Sequence, residues 1–102
     1  MVSNVDELKR ALALIGPKWT LQIIGALLEK PRRFTELERA LGDVNPKVLT
    51  DRLRELVESG LVSRTYHAEV PPRVEYSLTD RGRALKPAIS ALERWGARAP
   101  RV

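Results

Sequence analysis

Lys47, Asp51, Arg54 and Glu58 follow Asn45-Pro46 at offsets that place them together on the outward side of one helix, taking 100° per residue, with Val48 and Thr50 beside them near its start. An ammonium, a hydroxyl, a carboxylate and a guanidinium so arranged offer hydrogen-bond donors and acceptors, not the paired groups of bond-breaking chemistry. Such a face suits the edges of nucleic-acid bases. Lys47 can meet a phosphate or the acceptor edge of guanine, Arg54 the backbone or a guanine, and Thr50 a phosphate or a base. Asp51 can accept from the amino group of cytosine, and Val48 can touch a thymine methyl. Arg52, on the flank of the same helix, is a further candidate contact. Asp51 can equally pair with Lys47 along the exposed helix, an interaction worth only about 0.2–0.5 kcal/mol.

Other residues fit the phosphates around such a contact. Asn45, with Pro46 at the first helical position, and Thr35, at the start of the preceding helix, sit at N-termini where free amides favour an anion. Arg73 follows paired prolines in a loop and is expected in or beside the minor groove, with Arg32 and Arg33 flanking phosphates. The net charge is +5, from 18 basic and 13 acidic residues, which suits a polyanionic partner. It is spread unevenly: residues 1–29 are neutral, 30–83 carry +2 and 84–102 carry +3.

The sequence has no cysteine and a single histidine, His67, which rules out disulfides, thiolate chemistry and a histidine metal cluster within these 102 residues. There is no glycine-rich phosphate loop and no paired catalytic motif, so neither an enzyme nor a cofactor is expected. No apolar run approaches 18 residues and no signal peptide opens the chain, which leads to the expectation of a cytoplasmic protein without a membrane partner.

The elements that must position these side chains follow from periodicity. Val5, Leu8, Leu12 and Ile15 repeat at helical spacing behind an Asn4/Glu7 capping box, giving a helix to Gly16. From Lys18 to Glu29 apolar residues occupy nearly every face, as in a helix buried on several sides. Lys30 to Phe34 reads as a turn and short strand, Thr35 caps a helix to Leu41, and Gly42-Asp43 turns the chain. The helix from Pro46 runs to Ser59 with Leu49, Leu53, Leu56 and Val57 inward and Gly60 as terminator. The period then changes to two, giving a hairpin around a loop from His67 to Arg73. Thr79 caps a last helical region to about Trp95 that Pro87 kinks or breaks, and residues 96–102 are expected to form a disordered tail.

That last region has two apolar rows, one of Leu85, Ile89 and Leu92, the other of Ala84, Ala88, Ala91 and Trp95. Two rows on one helix in so small a protein suggest that one meets a second subunit. The pattern as a whole predicts a single domain over 1–102, mainly α (α+β): a winged helix–turn–helix with a two-stranded wing hairpin and terminal dimerisation helices, whose second helix of the pair enters the major groove.

Five segments resemble one family in order and spacing: Ile15-Gly16-Pro17-Lys18-Trp19-Thr20, Arg33-Phe34-Thr35-Glu36-Leu37, Pro46-Lys47-Val48-Leu49-Thr50-Asp51-Arg52-Leu53, Gly60-Leu61-Val62-Ser63-Arg64 and Val70 to Thr79. They are similar to the HxlR-type winged helix–turn–helix transcription regulators of bacteria and archaea. The resemblance implies a homodimer joined by its terminal helices, with Leu8, Leu12, Leu85, Ala88, Ile89, Leu92 and Trp95 at the interface, reading a pseudo-palindromic operator to control transcription, by our expectation as a repressor. Many such proteins carry an N-terminal cysteine, but Asp6 stands near that position, so thiol sensing does not carry over. The usual serine at the recognition-helix start is Asn45, which preserves the cap. A small-molecule effector near Trp19 or Trp95 is a further expectation. The rival reading is a winged helix that binds proteins without specific DNA affinity.

Overall fold

In the computed structural model, which describes residues 4–100, the helical period gives four helices: α1 (Val5–Ile15), α2 (Thr20–Glu29), α3 (Phe34–Leu41) and α4 (Pro46–Glu58). The change of period after Gly60 gives β1 (Val62–His67) and β2 (Arg73–Leu78), then a one-turn α5 (Asp80–Arg83) and α6 (Lys86–Arg98). This is the expected winged helix–turn–helix.

The apolar faces of α2 make it the spine of the core. Ile23, Ile24 and Leu27 are buried, and α2 packs against α3, β2 and α6. Leu37 of α3, Val44 before α4, Leu49, Leu53 and Leu56 of α4, Leu61, Val62 and Leu78 at the hairpin base and Ile89 of α6 complete the cluster. Burying each such side chain is worth about 1.5–3 kcal/mol, which fixes where α2, α3, α4 and α6 can lie. The start of α2 falls two residues later than the periodicity predicts, because Trp19 takes a left-handed conformation (φ 80°) that a helix cannot include.

Several local expectations change in detail. The Asn4 side chain makes no capping bond to α1. Thr35 is not the cap of α3: the helix begins one residue earlier, at Phe34, and the Arg33 amide donates to Glu36 Oε1 at 2.8 Å. Asn45 does cap α4, its Oδ1 accepting from the amides of Lys47 (2.8 Å) and Val48 (3.4 Å). Gly60 ends α4 with φ 77°, a value glycine adopts without strain.

The hairpin is antiparallel, with Val62 opposite Leu78 at its buried base and His67 opposite Arg73 at its outer end. The expected third strand is a single bridge, in which the Arg32 amide donates to the Tyr76 carbonyl (2.9 Å) and the Tyr76 amide to the Arg32 carbonyl (2.8 Å). Thr79 caps α5 by accepting from the Gly82 amide. Pro87 then lies in the first turn of α6, so the last helical region breaks in two. Because α6 continues to Arg98, residues 96–98 of the expected tail are helical; 101–102 lie outside the described residues. No single helix among the described residues is long and apolar enough to cross a membrane.

Gly82 is buried where a Cβ would collide with the Leu61 carbonyl oxygen and press on the Leu78 side chain. Gly82→Ala is therefore expected to cost about 1–3 kcal/mol, read as a lower Tm in thermal unfolding.

Candidate nucleic-acid interface

The inner face of α4 is held by Leu49, Leu53 and Leu56, each at most 2% exposed, so the opposite face is fixed toward solvent. Lys47 projects furthest, its side chain 84% exposed. Its Nζ lies 3.2 Å from Asp51 Oδ2, and Asp51 Oδ1 lies 3.3 Å from a guanidinium nitrogen of Arg54. One carboxylate therefore bridges two cations on consecutive turns. Both the pairing reading of Asp51 and its place on the outward face hold together here. The hydrogen bond from Lys47, then the charges of Lys47, Arg54 and Arg52, keep the Asp51 carboxyl below its ordinary pKa. Thr50 is exposed, with Oγ1 donating back to the Pro46 carbonyl at 2.9 Å, while Val48 is half-buried beside it.

Arg52 points elsewhere. Its Nε donates to the Lys18 carbonyl (3.0 Å) and its Nη1 to both carboxylate oxygens of Glu55 (3.0 and 3.2 Å), leaving the side chain 23% exposed. It ties α4 to the turn before α2. Arg32 is likewise turned inward, with Nε on the Ala26 carbonyl and a terminal nitrogen on Glu29, each at 2.9 Å. Only Arg33 of that pair is exposed. It stands beside Thr35, which occupies the first turn of α3 and is also exposed. Glu36, between them in the fold, has its pKa lowered by the Arg33 amide and by the charges of Lys30, Arg33 and Arg32.

Arg73 is at the base of the wing loop, not its tip. It pairs with His67 across the sheet, and its guanidinium lies 3.1 Å from Glu69 and 3.8 Å from Glu75, with Nε buried and unbonded. His67, read as a loop residue, ends β1 and lies 3.0 Å from Glu75. The far end of the wing is instead lined by exposed Tyr66 and Val70 and the two prolines. Tyr66 and Val70 carry no hydrogen-bonding signature that would single them out. Strand alternation, which puts Tyr66 in phase with buried Val62 yet beyond the core, is a clue to Tyr66 alone.

The predicted interface residues on the terminal helices divide. Ile89 belongs to this chain's own core and Leu85 is half-buried against it. Leu8, Leu12, Leu92 and Trp95 are 58%, 50%, 49% and 65% exposed, and Ala88 is exposed.

With this geometry in view, comparison with known proteins is specific. The sequence profile described as HxlR-like helix-turn-helix matches residues 14–101. An HTH-type transcriptional regulator of Halalkalibacterium halodurans is 48% identical over 86 residues, covering 83% of this chain and 76% of the relative. Among solved structures, the redox regulator HypR in its oxidized form superposes with a TM-score of 0.90 at 35% identity, covering 94% of this chain and 99% of HypR. A transcriptional regulator of the MarR family from Enterococcus faecalis V583 gives 0.83 at 43% identity, covering 95% and 88%.

The Asp51 bridge makes two checkable statements. A carboxyl whose folded pKa is lowered stabilises fully above its unfolded value of about 3.9, and that contribution is lost as pH falls through the lower folded value. The bridge should thus be intact from pH 7 to 5, and an NMR titration of the Asp51 carboxyl should shift to a higher midpoint in Lys47→Ala. Asp51→Asn should raise affinity for random duplex DNA several-fold by releasing two cations, measured by fluorescence anisotropy.

Proposed function

We propose that this chain, which belongs to the HxlR-like helix-turn-helix family and is a DNA-binding transcriptional regulator, acts as a repressor that binds a pseudo-palindromic operator as a homodimer and occludes a promoter. The observation that carries the proposal is the outward face of α4: three leucines bury one side of the helix, while Lys47, Thr50, Asp51 and Arg54 stand in solvent on the other. In this reading those four residues, with Asp51 half-buried between Lys47 and Arg54, meet base edges and nearby phosphates in the major groove together with Val48. Asn45, Pro46, Arg33 and Thr35 approach the backbone at helix N-termini, and Arg73 exchanges its carboxylate partners for DNA at the wing.

The homodimer is supported by apolar side chains with nothing over them. Leu8 and Leu12 on α1, and Leu92 and Trp95 on α6, expose half or more of their surface, or nearly so. Exposed apolar side chains gathered on the two terminal helices in this way favour an interaction surface. A small-molecule effector belongs to the same proposal. It would lodge in a groove of about 780 Å³ between α2, α3 and α6, lined by Trp19, Leu41, Ile89 and Leu92 with Gln22 and Glu93 at its rim. Thiol oxidation is no route to a signal in a sequence without cysteine. The site of action is the cytoplasm, where the DNA is, and no catalytic step is involved.

Selection of bound sites from a random duplex library tests the proposal directly. A palindromic winner is expected, with half-sites about one helical turn or roughly 34–36 Å apart and affinity about a thousandfold above a scrambled control. Lys47→Glu should weaken binding to every duplex, whereas Thr50→Ala should alter preference at one or two base positions. Absence of enrichment, or unaltered binding by Lys47→Glu, would remove α4 from the role given to it. Sedimentation at micromolar concentration should show a dimer.

A further inference from the structure

Three elements of the interface meet at Arg32. The backbone of this residue holds the middle of the wing through the paired hydrogen bonds with Tyr76, at 2.9 and 2.8 Å. Its side chain, 15% exposed, reaches the other way, with Nε on the Ala26 carbonyl and a terminal nitrogen on Glu29. Ala26 lies in the last turn of α2, where carbonyls have no partner within the helix and attract a cation. The next residue, Arg33, opens α3 through its amide bond to Glu36.

The wing's other ties gather at its base. There the Leu61 amide donates to the Leu56 carbonyl of α4 (3.0 Å), the Thr79 amide donates to the Leu61 carbonyl (3.1 Å), and Val62 and Leu78 are buried in the core. Those ties lie where the chain enters β1 and leaves β2. Further out along the hairpin, at Tyr76 opposite Arg64, the backbone tie is the one to Arg32.

We infer that Arg32 is a positioning residue for operator recognition: it fixes the wing relative to the recognition helix by clamping β2 to the end of α2, and its charge is used inside the protein, not on a phosphate. A wing held at one angle presents its minor-groove contacts at one distance from the bases read by α4. Released, the wing leaves the α4 contacts intact while the flanking contacts lose register.

The inference rests on the DNA-binding role, and the test separates the two. The full-length wild type, Arg32→Lys and Glu29→Ala are titrated against the selected operator and a random duplex across a salt series, with hydroxyl-radical footprinting of the operator. Lysine keeps the charge but cannot hold Ala26 and Glu29 together. Arg32→Lys is expected to lower the ratio of operator to random affinity about tenfold, the scale of one hydrogen bond to a charged group. The salt slope should stay at the wild-type value, and protection should fade at the operator flanks but not its centre. Glu29 is 66% exposed, so Glu29→Ala spares the fold if Arg32→Lys does not. It should lower the same ratio about threefold, as loss of one more exposed bond would. A wild-type ratio and slope for Arg32→Lys would overturn the inference. So would Glu29→Ala binding both duplexes more tightly at constant ratio, since that is how an arginine freed to bind phosphate would behave. If the wild type selects no operator at all, the regulator reading fails, and Arg32 is not what failed.

Discussion

Ile23, Ile24 and Leu27 can leave water only if other elements close around α2, and most of the molecule follows from that requirement. Because α2 is apolar on nearly every side, α3, α6 and β2 must each supply a face to it, and α4 reaches the same cluster through its leucines. The angle at which α4 presents Lys47 and Arg54 is therefore decided by the buried residues on its other face. Polar side chains then refine what burial has placed. Arg52 pins α4 to the Lys18 carbonyl, and Arg32 pins the wing to the end of α2.

Charge is organised against its own excess. The sequence carries +5, yet several cations of the proposed DNA-binding surface have acids beside them. Asp51 sits between Lys47 and Arg54, and Glu69 and Glu75 flank Arg73. A surface so compensated attracts phosphate weakly through long-range field alone and depends on side chains reaching their targets in register. That arrangement favours discrimination between duplexes over affinity for any duplex.

Much of this was legible in the sequence because it is written locally. Asn45-Pro46 marks a helix start, Gly60 a left-handed stop, and the switch of period at Val62 a strand, each decided by the chemistry of neighbouring residues. The site was legible in part. The outward face of α4 follows from 100° geometry, but the fates of Arg32, Arg52 and Arg73 do not. Arg52 finds its carbonyl 34 positions away, and Arg32 takes its place from a strand 44 positions on. From sequence alone an arginine in a basic, turn-rich segment is indistinguishable from one that caps a helix. The backbone of Trp19 is equally silent, since nothing in its neighbours announces a positive φ.

One feature of α1 reaches beyond packing. The helix spans 11 residues and contains no buried one, with Val5, Leu8 and Leu12 each half exposed or more. A helix of that length draws little stability from its own hydrogen bonds and needs tertiary cover to persist. Its residence in the helical state is therefore set by whatever lies over that stripe, more than by the core beneath Ile15. Where the proposed second copy covers that stripe, protection of the α1 amides from solvent exchange would rise while the amides of α2 stayed shielded in either state, making the first helix a gauge of that proposed association.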